Sequence, residues 1–269
     1  MKGVIFAANP NASIVDITHE IPPQDIAAGA FTLLAAYGSF PVGTIHVAVV
    51  DPGVGSSRRP ILVAAGKQLF VGPDNGIFSY IIDRETDVRV FHLTNDDYFR
   101  HPVSATFHGR DLFAPVASVL SLGVKPGQCG VEIYDYARLA PLSPERLQNG
   151  GYRARIINID RFGNCVTNLT PRELTPELIE AGARLRVNGK VIRTFQRCFS
   201  LVSNSRQKLF AVWGSAGFLE LAAMNQSAAK MLHARRGQPV LVSLLEGTFS
   251  NEKKHRNAKA AKFPAKVAE

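Results

Sequence analysis

Residues 44–55 read TIHVAVVDPGVG. The first seven, 44–50, are mostly apolar and β-branched, and span about one strand. Such a run suits a strand buried in a parallel sheet. It stops at Asp51, and Pro52, Gly53 and Gly55 then break the extended chain. In open α/β sheets, ligands sit beyond the carboxyl ends of strands, so the 51–55 loop is where a site is expected. Gly53 and Gly55 allow positive φ and close backbone approach. No Gly-Lys-Ser/Thr follows, which weakens a phosphate-loop reading. A turn capped by Asp51 explains the loop's shape equally well.

Around this stretch the first half alternates strand and helix patterns. Residues 61–65 and 68–71 flank Gly66-Lys67 as a hairpin would. Residues 27–37 and 109–121 carry apolar side chains at helical spacing. The pattern favours an α/β domain, a mostly parallel sheet flanked by helices, over residues 1–136. Residues 137–151 hold two prolines and end in Gly-Gly, the composition of a linker. Beyond it, 153–159, 185–187, 190–192, 209–213 and 239–244 read as short strands, with Asn188-Gly189 as a type I′ turn. Residues 152–247 are therefore expected as a small β-barrel domain.

Composition excludes little. The 269 residues are 46% hydrophobic and 20% charged, ordinary for a globular protein. No apolar run is long enough to span a bilayer as a helix, so no membrane partner is expected. The three cysteines, Cys129, Cys165 and Cys198, lack any CxxC pairing, which points to free thiols and a cytoplasmic location. The net charge is +9, and six Lys/Arg against two Glu place +4 of it in residues 252–269. Residues 248–269 read as a disordered basic tail, so the charge does not argue for specific nucleic-acid binding.

Other polar positions each have a plain and a functional reading. Of Arg58 and Arg59, one suits the surface and the other could hold a carboxylate through its planar fork. His108, in SATFHGRD (104–111), is a structural residue or a neutral imidazole acting on water. Residues 72–76, GPDNG, form a turn whose polar side chains, Asn75 among them, could line a site. In DRFGN (160–164), Asp160 offers a carboxylate for an ammonium, Phe162 a stacking face and Asn164 an amide for an adenine edge. Alone, that stretch is a hairpin turn. A cluster of His19, Glu20, Asp51, Asp74, His108 and Asp111 could in principle hold a metal, but no ligand spacing supports it, and no metal is expected.

Taken in order, DPGVG with an arginine seven residues after its aspartate, GPDNG, SATFHGRD, IDRFGN and WGSAGFLELA resemble the SAM hydroxide adenosyltransferases. These are S-adenosylmethionine hydrolases related to the fluorinase and chlorinase. The resemblance implies an N-terminal α/β domain and a C-terminal β-barrel. It implies a homotrimer with each ligand between subunits, and hydrolysis of S-adenosyl-L-methionine to adenosine and methionine with no cofactor. Asp51, Arg58 and His108 take the catalytic positions, a set that distinguishes hydrolases from halogenases. Asp51 and His108 would orient and deprotonate water, with Arg58 fixing Asp51. Asn164 and Phe162 would contact adenine, Asp160 and Ser215 the methionine end, with Phe107 and Asn75 completing the binding set.

Two departures stand beside this match. Family members carry an LTDFG-like strand, whose aspartate binds the ribose hydroxyls, before the segment matching residues 1–5. That counterpart is missing from this sequence, which leads one to expect weakened turnover and aggregation. The alternative function is a non-catalytic binder of S-adenosylmethionine or adenosine. In addition, Met224-Asn225 places the asparagine one position later than in relatives.

Overall fold

The computed structural model describes residues 1–199 and 208–244. The chain divides into two compact units, Met1–Leu142 and Ser143–Glu269. The tail expected over 248–269 lies outside the described residues.

Unit 1 runs α1 (Lys2–Ala8), α2 (Ile26–Ala36), β1 (Ile45–Val47), β2 (Pro60–Ala65), β3 (Gln68–Pro73), α3 (Ser79–Arg84) and β4 (Arg89–Leu93). A π turn, Gly109–Phe113, then leads into α4 (Ala114–Ser121), α5 (Pro126–Cys129) and β5 (Gly130–Ile133). The sheet order is β1-β3-β2-β4-β5. Only β1–β3 is parallel; β3–β2, β2–β4 and β4–β5 are antiparallel. This corrects the expectation of a mostly parallel sheet. The cause is local: Gly66 and Lys67 both take positive φ, and a two-residue turn can only send the chain back antiparallel. β1 is shorter than residues 44–50 suggested and lies at the sheet edge, with only His46 fully buried. Its outer edge has no strand partner among the described residues.

The core of this unit fixes where the 104–113 segment lies. Leu112 and Phe113 of the π turn, with Val116 and Leu120 of α4, pack on Leu62, Val71, Phe91 and Leu93 of the sheet. Truncating a fully buried phenylalanine such as Phe113 would cost about 3–5 kcal/mol. The turn beside His108 is therefore anchored from below. Asp25 starts α2 by accepting a hydrogen bond from Ala28 N at 3.0 Å.

Unit 2 contains β6 (Glu145–Arg146), β7 (Tyr152–Ile159), β8 (Cys165–Thr167), α6 (Pro176–Glu180), β9 (Arg184–Val187), β10 (Lys190–Ile192) and β11 (Phe195–Gln196). It continues with β12 (Leu209–Trp213), β13 (Leu219–Ala223), α7 (Ala228–Leu232) and β14 (Pro239–Ser243). The order is β10-β9-β14-β7-β8-β13-β12-β11, with β6 added on β7. Thus part of the 137–151 stretch expected as linker is a strand. The end strands β10 and β11 do not pair with each other, so this is a curled, open half-barrel rather than a closed barrel. Asn188 and Gly189 take φ of 46° and 81° between β9 and β10, as the type I′ turn requires. Ile156, Leu169, Leu185, Leu219, Leu221 and Leu232 build its core.

Candidate active site

Three polar side chains from unit 1 meet in one hydrogen-bonded cluster. Asp51 follows the chain segment that extends β1. Arg58 comes from the far side of the 51–57 loop, and His108 begins the π turn. One nitrogen of Arg58, Nη2, donates to Asp51 Oδ2 at 2.5 Å and to His108 Nδ1 at 2.7 Å. The side chains of Asp51 and Arg58 are only 5% and 7% exposed. The Arg58 guanidinium also lies 5.5 Å from the centre of the Phe113 ring. A buried pair in this geometry is strongly coupled, and removing one partner strands the other's charge.

The local sequence explains how these segments meet. Gly55 has φ of +76°, and a Cβ there would come within 2.2 Å of the Ala105 carbonyl oxygen. A glycine is therefore required for the 51–55 loop to lie against 104–108. Gly53, by contrast, is not in the left-handed region, so of the two loop glycines only Gly55 uses the positive φ that both allow. Ser56 tightens the loop: its hydroxyl donates to Gly53 O at 2.6 Å and accepts from Arg58 N at 3.2 Å. On the other side, buried Asp111 accepts from Ser104 N and from Arg110, closing the segment that carries His108. Those bonds, the Arg110 pair foremost, hold the Asp111 carboxyl far below the usual range.

The electrostatics set the state of His108. Burial, then the Arg58 charge, lower its pKa from 6.5, against a smaller opposing pull from Asp51 and Asp111. A guanidinium only donates, so Nδ1 must accept. The neutral ring then carries its proton on Nε2. Three buried polar atoms in the cluster, Asp51 Oδ1, Arg58 Nε and Arg58 Nη1, have no hydrogen-bond partner among the described residues. Asp51 also lines a cavity of about 590 Å³ with Val50, Pro52, Val54, Ile77 and His19.

The neighbouring sequence candidates divide. Arg59 does not decorate the surface; it pairs with Asp74 at 2.8 Å and Asp135 at 2.9 Å, pinning the 72–76 turn. Asn75 Nδ2 donates to Val50 O at 2.8 Å, bracing the backbone just before Asp51. The exposed Phe107 ring lies 5.1 Å from the Arg110 guanidinium.

Unit 2 has its own cavity, about 800 Å³, lined among others by Asp160, Phe162, Asn164, Trp213, Ser215 and Glu220. Phe162 is 74% exposed, so its ring face is open. Asp160 Oδ1 accepts from Phe162 N and Asn164 N, and its Oδ2 from Asn164 Nδ2. This carboxylate organises the 160–164 turn. The Asn164 backbone carbonyl accepts from Asp160 N at 3.1 Å, whereas its side-chain Oδ1 accepts no hydrogen bond among the described residues.

Family models describe both halves of the sequence. Residues 1–130 match the SAM hydroxide adenosyltransferase N-terminal domain, and residues 154–241 the corresponding C-terminal domain. The chain belongs to the SAM hydroxide adenosyltransferase family. It is 37% identical to an (R)-S-adenosyl-L-methionine hydrolase of Thermus thermophilus, over 89% of this chain and 91% of that protein. It is 44% identical to one of Salinispora tropica, covering 60% of this chain and only 62% of the relative's length. A solved structure of an uncharacterized conserved protein from Thermotoga maritima superposes with a TM-score of 0.82 at 31% identity, covering 90% and 92% of the two chains.

Within this family member, sequence reading passed over Ser56, Trp213 and Glu220. Glu220 lies in β13, which was read as a motif and not as a strand, so the alternation separating it from Leu219 and Leu221 was not applied. Among the described residues no three His, Cys, Asp or Glu side chains gather as a metal site, and no helix is long and apolar enough to cross a membrane.

Proposed function

We propose that this chain hydrolyses S-adenosyl-L-methionine to adenosine and L-methionine by attack of water on ribose C5′. The observation that carries the reading is the Arg58-bridged cluster with Asp51 Oδ1 unpartnered beside it. The names of the similar hydrolases, and the (R) sulfonium configuration they specify, support it.

The chemistry needs little acid assistance. A sulfonium leaves readily, so the difficulty is holding a water in line with the C5′–S bond. Positioning of this kind can supply several kcal/mol of the barrier. In our reading Asp51 Oδ1 accepts a proton from the water while Oδ2 stays fixed by Arg58. His108 donates through Nε2–H to the same oxygen, so it orients the water rather than deprotonating it. The C5′–O bond forms, and the C5′–S electron pair returns to sulfur as the thioether of methionine. One proton is released through Asp51. The retained Asp51, Arg58 and His108 favour hydrolase over halogenase.

The unit-2 cavity supplies recognition. Phe162 stacks on adenine, and Asn164 offers its side-chain Oδ1 to the adenine amino group. Asp160 and Ser215 face the methionine end, while Phe107 and Asn75 complete the binding set. We read residues 1–136 as the domain of the chemistry and 152–247 as that of recognition. The family resemblance supports a homotrimer with substrate sites at subunit interfaces, which light scattering measures. Three free cysteines support a cytoplasmic location. Neither step calls for a cofactor.

The test is to incubate the purified chain with S-adenosyl-L-methionine and separate the products by chromatography. Adenosine and methionine in equal amounts are expected. No product, or methylthioadenosine instead, would overturn the reading.

A further inference from the structure

The hydrogen bonds of Arg58 hold it from one corner. Both leave from Nη2, to Asp51 Oδ2 and to His108 Nδ1. Its Nε and Nη1 are buried and have no hydrogen-bond partner among the described residues. The adjacent Arg59 shows the alternative, with Nε, Nη1 and Nη2 all donating to Asp74 or Asp135. Charged N–H donors left without an acceptor are costly in a buried site. Something other than an acceptor must offset that cost.

The Phe113 ring is placed to do so. Its centre lies 5.5 Å from the carbon of the Arg58 guanidinium, inside the roughly 6 Å reach of a cation–π contact. Phe113 is fully buried, and such a contact is strongest where water is excluded. The π turn that follows His108 ends at Phe113, so one short segment supplies both an acceptor for Nη2 and the ring. Turns of this kind are rare and occur frequently at functional sites. An aromatic face also suits the chemistry better than a further carboxylate would. It stabilises the cation without adding a negative charge. The Arg58 charge therefore still acts on His108, whose pKa it helps to hold below 6.5.

We propose that Phe113 is a positioning residue for the hydrolysis, its ring face holding the Arg58 guanidinium so that Nη2 meets Asp51 and His108 together. This rests on the reading of those three groups as the ones that act on water.

The test replaces Phe113 with 4-fluoro-, 3,5-difluoro- and 3,4,5-trifluorophenylalanine, which progressively drain electron density from the ring face with little change in volume. kcat should fall in that order, by about 3- to 10-fold for the trifluoro ring, with KM held within about twofold. The acid limb of the pH profile of kcat/KM should move upward toward 6.5, because a looser Arg58 lowers the His108 pKa less. Phe113→Leu, which removes the ring face outright, should cost about 5- to 30-fold in kcat. Phe91→Leu controls for packing, since Phe91 is buried in the same core on β4. It should lower the melting temperature comparably and leave kcat within about twofold. A fluorinated series with wild-type kcat, or equal kcat losses in the two leucine variants, would overturn the proposal. Should wild type make no adenosine, the hydrolase reading falls, and NMR titration of the His108 ring decides the proposal separately. A His108 pKa higher in Phe113→Leu than in wild type and Phe91→Leu upholds it; the same pKa in all three overturns it.

Discussion

The two candidate regions are built on opposite principles. In unit 1, Asp51 and Arg58 are almost sealed from solvent, and one guanidinium nitrogen ties three segments together. In unit 2 the cavity is larger, open and aromatic, with Phe162 presented to solvent and Glu220 without a partner among the described residues. A buried, interlocked cluster suits a step in which a small nucleophile must be held to a fraction of an ångström. A roomy cavity with a few polar groups suits recognition of a large, mostly planar ligand. Their kinetic signatures should therefore differ: the cluster governs kcat and the cavity governs KM.

The sharpest way to break this contrast is Asp51→Asn. It keeps size and removes the proton acceptor, so kcat should fall about 10²- to 10⁴-fold with KM little changed. Steady-state kinetics that show wild-type turnover would remove Asp51 from the chemistry. The next effect is pH dependence. His108 acts neutral, with Nδ1 accepting from Arg58, and protonation removes that lone pair. Its pKa lies below the ordinary 6.5, so activity should hold as pH falls to 6.5 and decline only below it. A pH profile of kcat/KM already falling above 6.5 would contradict a neutral His108. The smallest effect belongs to the cavity. Phe162→Ala should raise KM roughly 3- to 10-fold through lost stacking while kcat stays near wild type. A drop in kcat there instead would blur the division between the regions.

Not all of this could be read from the chain. The turns at Gly66-Lys67 and Asn188-Gly189 were legible because each depends on two adjacent residues. The direction of the unit-1 strands was not, because an apolar run such as 44–50 says how deeply a strand is buried and nothing about its neighbours. The reliable signal was the 66–67 turn, which makes that pair antiparallel. Closure of the second sheet was likewise illegible, since it depends on whether β10 and β11 meet. The residues of the unit-1 cluster stood out as motifs. What joins them, the Ala105 carbonyl seated against Gly55 and one arginine nitrogen shared by two acceptors, is a three-dimensional contact with no local spacing rule. Glu220 was hidden for a simpler reason: WGSAGFLELA was read for its resemblance and not for its period of two.

The central claim is that water attacks C5′ within this protein. Its most direct test is a reaction in ¹⁸O-labelled water, with mass spectrometry of both products. The account predicts adenosine carrying one ¹⁸O at its 5′ oxygen and unlabelled methionine. Unlabelled adenosine, or label in the amino-acid product, would contradict it.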